Sequence, residues 1–126
     1  MGRISFAVRD DHALWNGRTL SEWVPEIVDA VVREFSPERV VLFGSVADGT
    51  DGPDSDVDLL VVLAVAEPVD RRRLMTEMRR ATRHVAAPHD LVVTDVRTYE
   101  RDRRRPGTVE YEAATTGSVL YERPAA

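Results

Sequence analysis

Neither cysteine nor lysine occurs among the 126 residues, so all 17 basic side chains are arginines. Without cysteine there is no thiol nucleophile, disulfide framework, thiolate zinc site or iron–sulfur cluster. Without lysine there is no Schiff-base amine and no P-loop lysine. Long apolar runs are also missing. The longest, Leu59 to Ala66, suits a buried strand and falls far short of the roughly 20 residues that cross a bilayer. The first residues carry Arg3, Asp10 and Asp11 and no apolar signal-peptide core, so the sequence reads as cytoplasmic and not membrane-bound. The metal ligands and nucleophiles that remain are carboxylates, hydroxyls and 3 histidines.

The 43% apolar and 31% charged fractions fit a folded globular chain and exclude disorder. A net charge of -5 argues against non-specific nucleic-acid binding by the whole surface, and no direct nucleic-acid partner is expected. At this length one domain spanning residues 1–126 is the expectation.

Residues 1–18 are the least clear. Ile4, Phe6 and Val8 alternate with Ser5, Ala7 and Arg9 as in a short strand, and Asn16-Gly17 signals a turn. From Ser21 to Phe35 the apolar residues Val24, Ile27, Val28, Val31, Val32 and Phe35 recur at helical spacing. Ser21 is the expected N-cap and Pro25 is placed in the first turn. Strands are predicted over Arg39 to Phe43, Val57 to Val65 and His89 to Thr94, the second apolar on both faces and therefore central. Val46 to Asp58 reads as turn-rich. A helix is predicted over Asp70 to Ala87, with Leu74, Met75, Met78, Ala81, Thr82 and Val85 inward. Short helices follow over Asp95 to Arg104 and Thr108 to Thr116, then an edge strand over Ser118 to Glu122. This order predicts an α+β fold: a small mixed β-sheet flanked by helices.

The acidic residues are unevenly placed. Five aspartates and no basic residue lie between Asp48 and Asp58. If Asp56 opens the strand that holds Asp58, both carboxylates share one face, because strand side chains repeat every two residues. Two such carboxylates repel unless a cation or proton lies between them, and hard divalent ions such as Mg²⁺ favour these ligands. Asp90 opens another core strand. If the strands of Asp58 and Asp90 are neighbours, three carboxylates converge and can hold two Mg²⁺ ions, the clamp used in phosphoryl or nucleotidyl transfer. Gly44 after a strand allows close backbone approach, and the Ser45 hydroxyl with the following amides can bind phosphate oxygens.

At these residues a family resemblance becomes specific. Gly44-Ser45-Val46-Ala47-Asp48-Gly49, five residues, then Ser55-Asp56-Val57-Asp58-Leu59 resembles the signature of the DNA polymerase beta-like nucleotidyltransferases. The likeness is strongest to the minimal nucleotidyltransferases, whose pattern is Gly-Ser-x-Ala-x-Gly, a short spacer, then Ser-Asp-x-Asp-Leu. Gly117-Ser118-Val119-Leu120-Tyr121 is similar to the Gly-x-Val-Leu-Tyr ending common among them. The resemblance implies a polymerase beta palm-like fold, with Gly44 and Ser45 holding the triphosphate. It makes Asp56, Asp58 and Asp90 the catalytic, metal-binding carboxylates, Asp90 helping to activate the attacking hydroxyl. It implies an adenylyltransferase with ATP as donor, a two-ion Mg²⁺ site and AMPylation of a protein hydroxyl. The implied partner is a HEPN-domain ribonuclease toxin, for which this chain is the antitoxin, with a partner chain or oligomer completing the site. Two positions depart: Asp48 stands where the family usually has a basic residue, and Val46 where a polar or basic one is frequent. Two alternatives therefore stand beside this reading: a degenerate member that neutralises its partner by binding alone, and a transferase acting on a small molecule such as an aminoglycoside.

Competing motifs fail on residues. An EF-hand loop starting at Asp54 has Leu59 at the required glycine and Val65 at the bidentate glutamate. A P-loop from Gly44 to Gly49 has Thr50 where lysine is needed. Asp51, Gly52, Pro53 and Asp54 read as a polar turn, Asp95 as a helix N-cap, His84 and His89 as solvated or structural. The arginine clusters read as solvated helix faces, Trp15 and Trp23 as core or interface anchors.

Overall fold

The computed structural model describes residues 4–9, 12–64 and 70–125. A three-stranded antiparallel sheet opens the chain: β1 (Phe6–Arg9), β2 (His12–Trp15) and β3 (Arg18–Thr19). The sequence showed only the first of these strands. His12 to Trp15 has no clean alternation, and Asn16 and Gly17 at the turn take positive φ, 51° and 79°. Helix α1 (Leu20–Phe35) follows directly.

Its cap is Thr19, not the expected Ser21. The Thr19 hydroxyl accepts from the Glu22 amide at 3.2 Å, and the Glu22 carboxylate accepts from the Thr19 amide at 2.9 Å, a reciprocal capping box. Because the helix begins at Leu20, Pro25 lies in its second turn and removes one intrahelical hydrogen bond. Burial of Leu20, Trp23, Val24, Ile27, Ala30 and Val31 along one stripe outweighs that loss.

The second sheet has the order β6-β5-β4-β7. It comprises β4 (Arg39–Phe43), β5 (Val57–Leu63), β6 (His89–Asp95) and β7 (Ser118–Glu122). Strand β5 runs antiparallel to β4 and parallel to β6, and β7 pairs antiparallel with β4, so the sheet is mixed as expected. The predicted last residue of β5, Val65, lies outside the described residues. Helix α3 (Arg71–Ala81) is shorter than predicted: Thr82 closes it, and the Thr82 hydroxyl turns back to the Met78 carbonyl at 2.9 Å. Met78, Thr82 and Val85 are buried as expected.

Helices cover both faces. Val40, Leu42, Val57, Leu59, Val61, Leu91 and Val93 form one core with α1 and with Met78 of α3. The alternate residues Val41, Phe43, Leu60 and Val62 form a second core with Tyr99 of α4 (Val96–Asp102) and Ala113 of α5 (Val109–Thr116). Strand β5, buried on both faces, is the central strand predicted from its apolar run. Trp23 belongs to the first core, donating from its indole to the Trp15 carbonyl at 2.8 Å, with Arg18 stacked 3.9 Å above its ring. Among the described residues no helix is long and apolar enough to cross a membrane.

Candidate active site

The strand ends decide where the acidic residues stand. Asp58 is the second residue of β5, and its Cα partners are Phe43 on β4 and Asp90 on β6. Asp58 and Asp90 are thus level on neighbouring parallel strands, the arrangement that sequence left conditional. Asp58 alternates with Leu60 and Val62, and Asp90 with Val92, so both face the side covered by α4 and α5. Strand β5 begins at Val57, so Asp56 sits one residue ahead of it rather than opening it. Its carboxyl still reaches Asp58 to hydrogen-bond with it.

That crowding has an electrostatic consequence. The Asp58 carboxyl is pushed up from 3.8 to about 6. Burial is the largest cause, followed by the Asp56 charge, its hydrogen bond to Asp56, and the charges of Asp90 and Glu112. A divalent cation would relieve this repulsion. Among the described residues no group of three or more histidine or acidic side chains is placed to hold a metal ion together. Mg²⁺ does not require one, since it commonly takes one or two carboxylates and completes its shell with water and substrate phosphates. The donor set of hard oxygens fits that ion.

Gly44 lies against this cluster. Its φ is +77°, in the left-handed region, and a Cβ there would collide with Oδ2 of Asp58. Both facts require glycine. The residues read as turn-rich after it include a short helix, α2 (Gly44–Asp48), closed by Gly49 at φ 75°. Its N-cap, Phe43, makes no side-chain capping bond, so the first amides of α2 have no side-chain partner there. Ser45, half-buried, belongs to this first turn. Asp48 closes the helix and is exposed.

The loop between α2 and β5 is tied at both ends. Asp51 is buried at its carboxylate, which lies 3.3 Å from Nδ1 of His12 on β2, a long-range pair invisible in the polar-turn reading. The Gly52 amide donates to the Ser55 hydroxyl at 2.9 Å. The Val57 amide donates to the Pro88 carbonyl at 3.0 Å, joining the β5 and β6 entrances.

The remaining candidates are structural. His89 Nδ1 lies 2.7 Å from the Ala87 carbonyl, to which it donates, and Nε2 lies 2.8 Å from the Thr82 hydroxyl, on the sheet face opposite Asp90. His84 is exposed. Asp95 caps α4, accepting from the Thr98 amide at 2.8 Å. The arginines are only partly solvated faces. Arg72, Arg79, Arg80 and Arg83 are exposed, but Arg71 reaches the buried Glu110 at 3.8 Å, and Arg101 and Arg105 pair with the buried Asp102. Glu112, exposed on α5, is a charge acting on Asp58 that sequence did not single out. It sits in an unpatterned Glu-Ala-Ala stretch, and only the packing of α5 over β4 and β5 brings it near Asp58.

Known structures share this fold. One chain of similar structure is a candidate nucleotidyltransferase from Sulfolobus solfataricus, at TM-score 0.58 and 23% identity, covering 82% of this chain and 81% of its own. Another is a chain in a mutant MntA–HpeT toxin–antitoxin crystal structure, at TM-score 0.54 and 20% identity, covering 79% and 72% respectively. No curated protein matches the chain. The sequence profile of the nucleotidyltransferase domain matches residues 24–114, which hold the whole acidic face and the Gly44 turn. The chain therefore belongs to the nucleotidyltransferase domain family, a family of enzymes.

Proposed function

We propose that the protein transfers AMP from ATP to a hydroxyl of a protein partner, using Mg²⁺, and serves as the antitoxin of a HEPN-type ribonuclease toxin. The observation that supports the chemistry is Asp58 level with Asp90 on neighbouring parallel strands, with the Asp56 charge acting on Asp58 and Gly44 so close to Asp58 that a Cβ there would collide with Oδ2. The protein partner is suggested by the fold shared with a chain of the MntA–HpeT toxin–antitoxin complex.

In this reading Asp56, Asp58 and Asp90 hold two Mg²⁺ ions, which when bound neutralise phosphate charge and polarise the α-phosphoryl group. Gly44 lets the backbone approach the triphosphate, and Ser45 with the first amides of α2 donates to its oxygens. The Asp90 carboxylate takes the proton of the acceptor hydroxyl. The acceptor oxygen bonds to the α-phosphorus, the bond between the α-phosphorus and its bridging oxygen breaks, and pyrophosphate leaves with the bond pair.

Asp48 favours the second reading, neutralisation by contact alone. Its position limits that argument. Asp48 is exposed at the far end of α2, about 5 Å along the axis from Ser45. Across water, repulsion of one phosphate charge at that separation is only about 1 kcal/mol. Helix-end amides and metal charge outweigh it. Calorimetric titration of ATP with and without Mg²⁺ tests the site. The wild-type chain binds ATP in a Mg²⁺-dependent manner, and Asp56→Asn and Asp58→Asn lose that dependence. Unchanged binding by both variants overturns the assignment.

A further inference from the structure

Residues 49–55 join α2 to the entrance of β5, and so lie between Ser45 and Asp56. They contribute no residue to either core, and Gly49, Thr50, Pro53 and Asp54 are exposed. Their hydrogen bonds are mostly local. The Thr50 amide donates to the Ser45 carbonyl at 2.9 Å, the Ser55 amide to the Gly52 carbonyl at 3.0 Å, and the Gly52 amide to the Ser55 hydroxyl at 2.9 Å. Among the described residues one hydrogen bond leaves this stretch for a distant element, that between Asp51 and His12 of β2 at 3.3 Å.

The Asp51 side chain is only 7% exposed, in a loop that is otherwise largely open to water. A carboxylate taken out of water needs a donor or a cation, or the segment that carries it moves back to solvent. His12 supplies the donor: an ionised carboxylate only accepts, so Nδ1 carries the hydrogen. His12 is itself held in place. It adjoins the buried Ala13, and β2 is fastened to α1 by the Trp23 indole on the Trp15 carbonyl at 2.8 Å. Both chain neighbours of Asp51 pass the constraint on. Thr50 is bonded to Ser45, and Gly52 to Ser55, which adjoins Asp56. The family match covers residues 24–114, so His12 and the whole first sheet lie outside it.

We infer that His12 is a positioning residue: through Asp51 it holds the loop that sets Ser45 and Asp56 relative to each other, which makes the N-terminal sheet part of the nucleotide site's support. His12 acts through the loop and takes no part in the chemistry. This inference rests on the nucleotide-binding reading and goes beyond it by assigning a role to a residue outside the matched domain.

Two measurements test it on the wild-type chain, His12→Ala and His12→Asn, whose amide nitrogen stands as many bonds from the backbone as Nδ1. The first, amide hydrogen exchange in EDTA, needs no nucleotide. His12→Ala should speed exchange at Thr50 and Ser55 about fivefold and leave the β4, β5 and β6 amides unchanged, and His12→Asn should restore near wild-type rates. The second is calorimetric titration with ATP and Mg²⁺. His12→Ala should bind about fivefold more weakly, the worth of one modest hydrogen bond, and His12→Asn within about twofold of wild type. Faster loop exchange with unchanged ATP affinity overturns the positioning role, since the pair then serves the loop alone. Faster exchange throughout the second sheet overturns it as well, since His12 then holds the fold. Weakened binding that His12→Asn does not restore overturns it too, because the imidazole then acts by its own charge. If the wild type binds no ATP, the nucleotide reading fails and takes the positioning role with it, whatever the loop exchange shows.

Discussion

Replacing Asp58 by asparagine should make the metal-free protein more stable while destroying its response to Mg²⁺. In the folded chain the Asp58 carboxyl is pushed from 3.8 to about 6, chiefly by burial and the Asp56 charge. Such a rise corresponds to about 3 kcal/mol between the two protonation states. Asp58 is only half-buried, so solvent screening reduces this to about 1 kcal/mol. The sign follows from linkage. A carboxyl raised in the folded state binds its proton more tightly there than in the unfolded chain. Its cost to stability is absent below 3.8, grows as pH rises to about 6, and is complete above that. The asparagine amide carries no charge at any pH, so the difference between variant and wild type should open across the same window. At pH 7.5 in EDTA the Asp58→Asn variant should melt about 3–4 °C higher, the shift that about 1 kcal/mol produces in a chain of this size. Thermal melts of both proteins from pH 4 to 7.5, with EDTA and then with excess Mg²⁺, read the effect. Mg²⁺ should raise the wild-type melting temperature and leave the variant unmoved. A variant less stable than wild type at pH 7.5 in EDTA, or a difference independent of pH, refutes the crowding argument.

Three further outcomes are expected. Gly44→Ala should cost at least about 1–2 kcal/mol in a denaturant titration, because φ is +77° and the new Cβ meets Oδ2 of Asp58, and Mg²⁺-dependent ATP binding should fall with it. Thr19→Ala removes the α1 capping box and should cost about 1 kcal/mol by the same assay, whereas Ser21→Ala should be nearly neutral. Thr94→Val should cost about 1–3 kcal/mol, because the buried Glu110 loses the hydroxyl that donates to it at 2.7 Å, leaving Arg71 at 3.8 Å as its cationic partner.

What was legible in the sequence is what local pattern encodes. The alternating and unbroken apolar runs placed β4, β5 and β6. Asp56 and Asp58 stood out as alternating carboxylates in an acidic run, and Asp90 as a charge at the entrance of a core strand, where it is locally unfavoured. Gly44 was legible as a point of close approach, although its collision partner was not. Features set by distance in the chain were hidden. The Asp51–His12 pair spans 39 residues, and the Glu112 charge acts on Asp58 only because α5 returns over β4. The α1 cap was misplaced because Ser21 and Thr19 are both capping residues, and the choice depends on the β3 strand ending at Thr19. The solvated reading of Arg71 missed its reach to Glu110, since nothing in the 70–84 stretch announces a buried carboxylate far along the chain.

The central claim is nucleotidyl transfer through the carboxylate face, and its most direct measurement uses ATP labelled at the α-phosphate. The chain is incubated with this ATP, Mg²⁺ and the proposed toxin partner, and the products are separated under denaturing conditions. Covalent label on the toxin from α-labelled but not γ-labelled ATP, lost in Asp56→Ala and in EDTA, is the predicted result. A toxin that binds the chain tightly yet acquires no label, or label that persists in Asp56→Ala, contradicts the account.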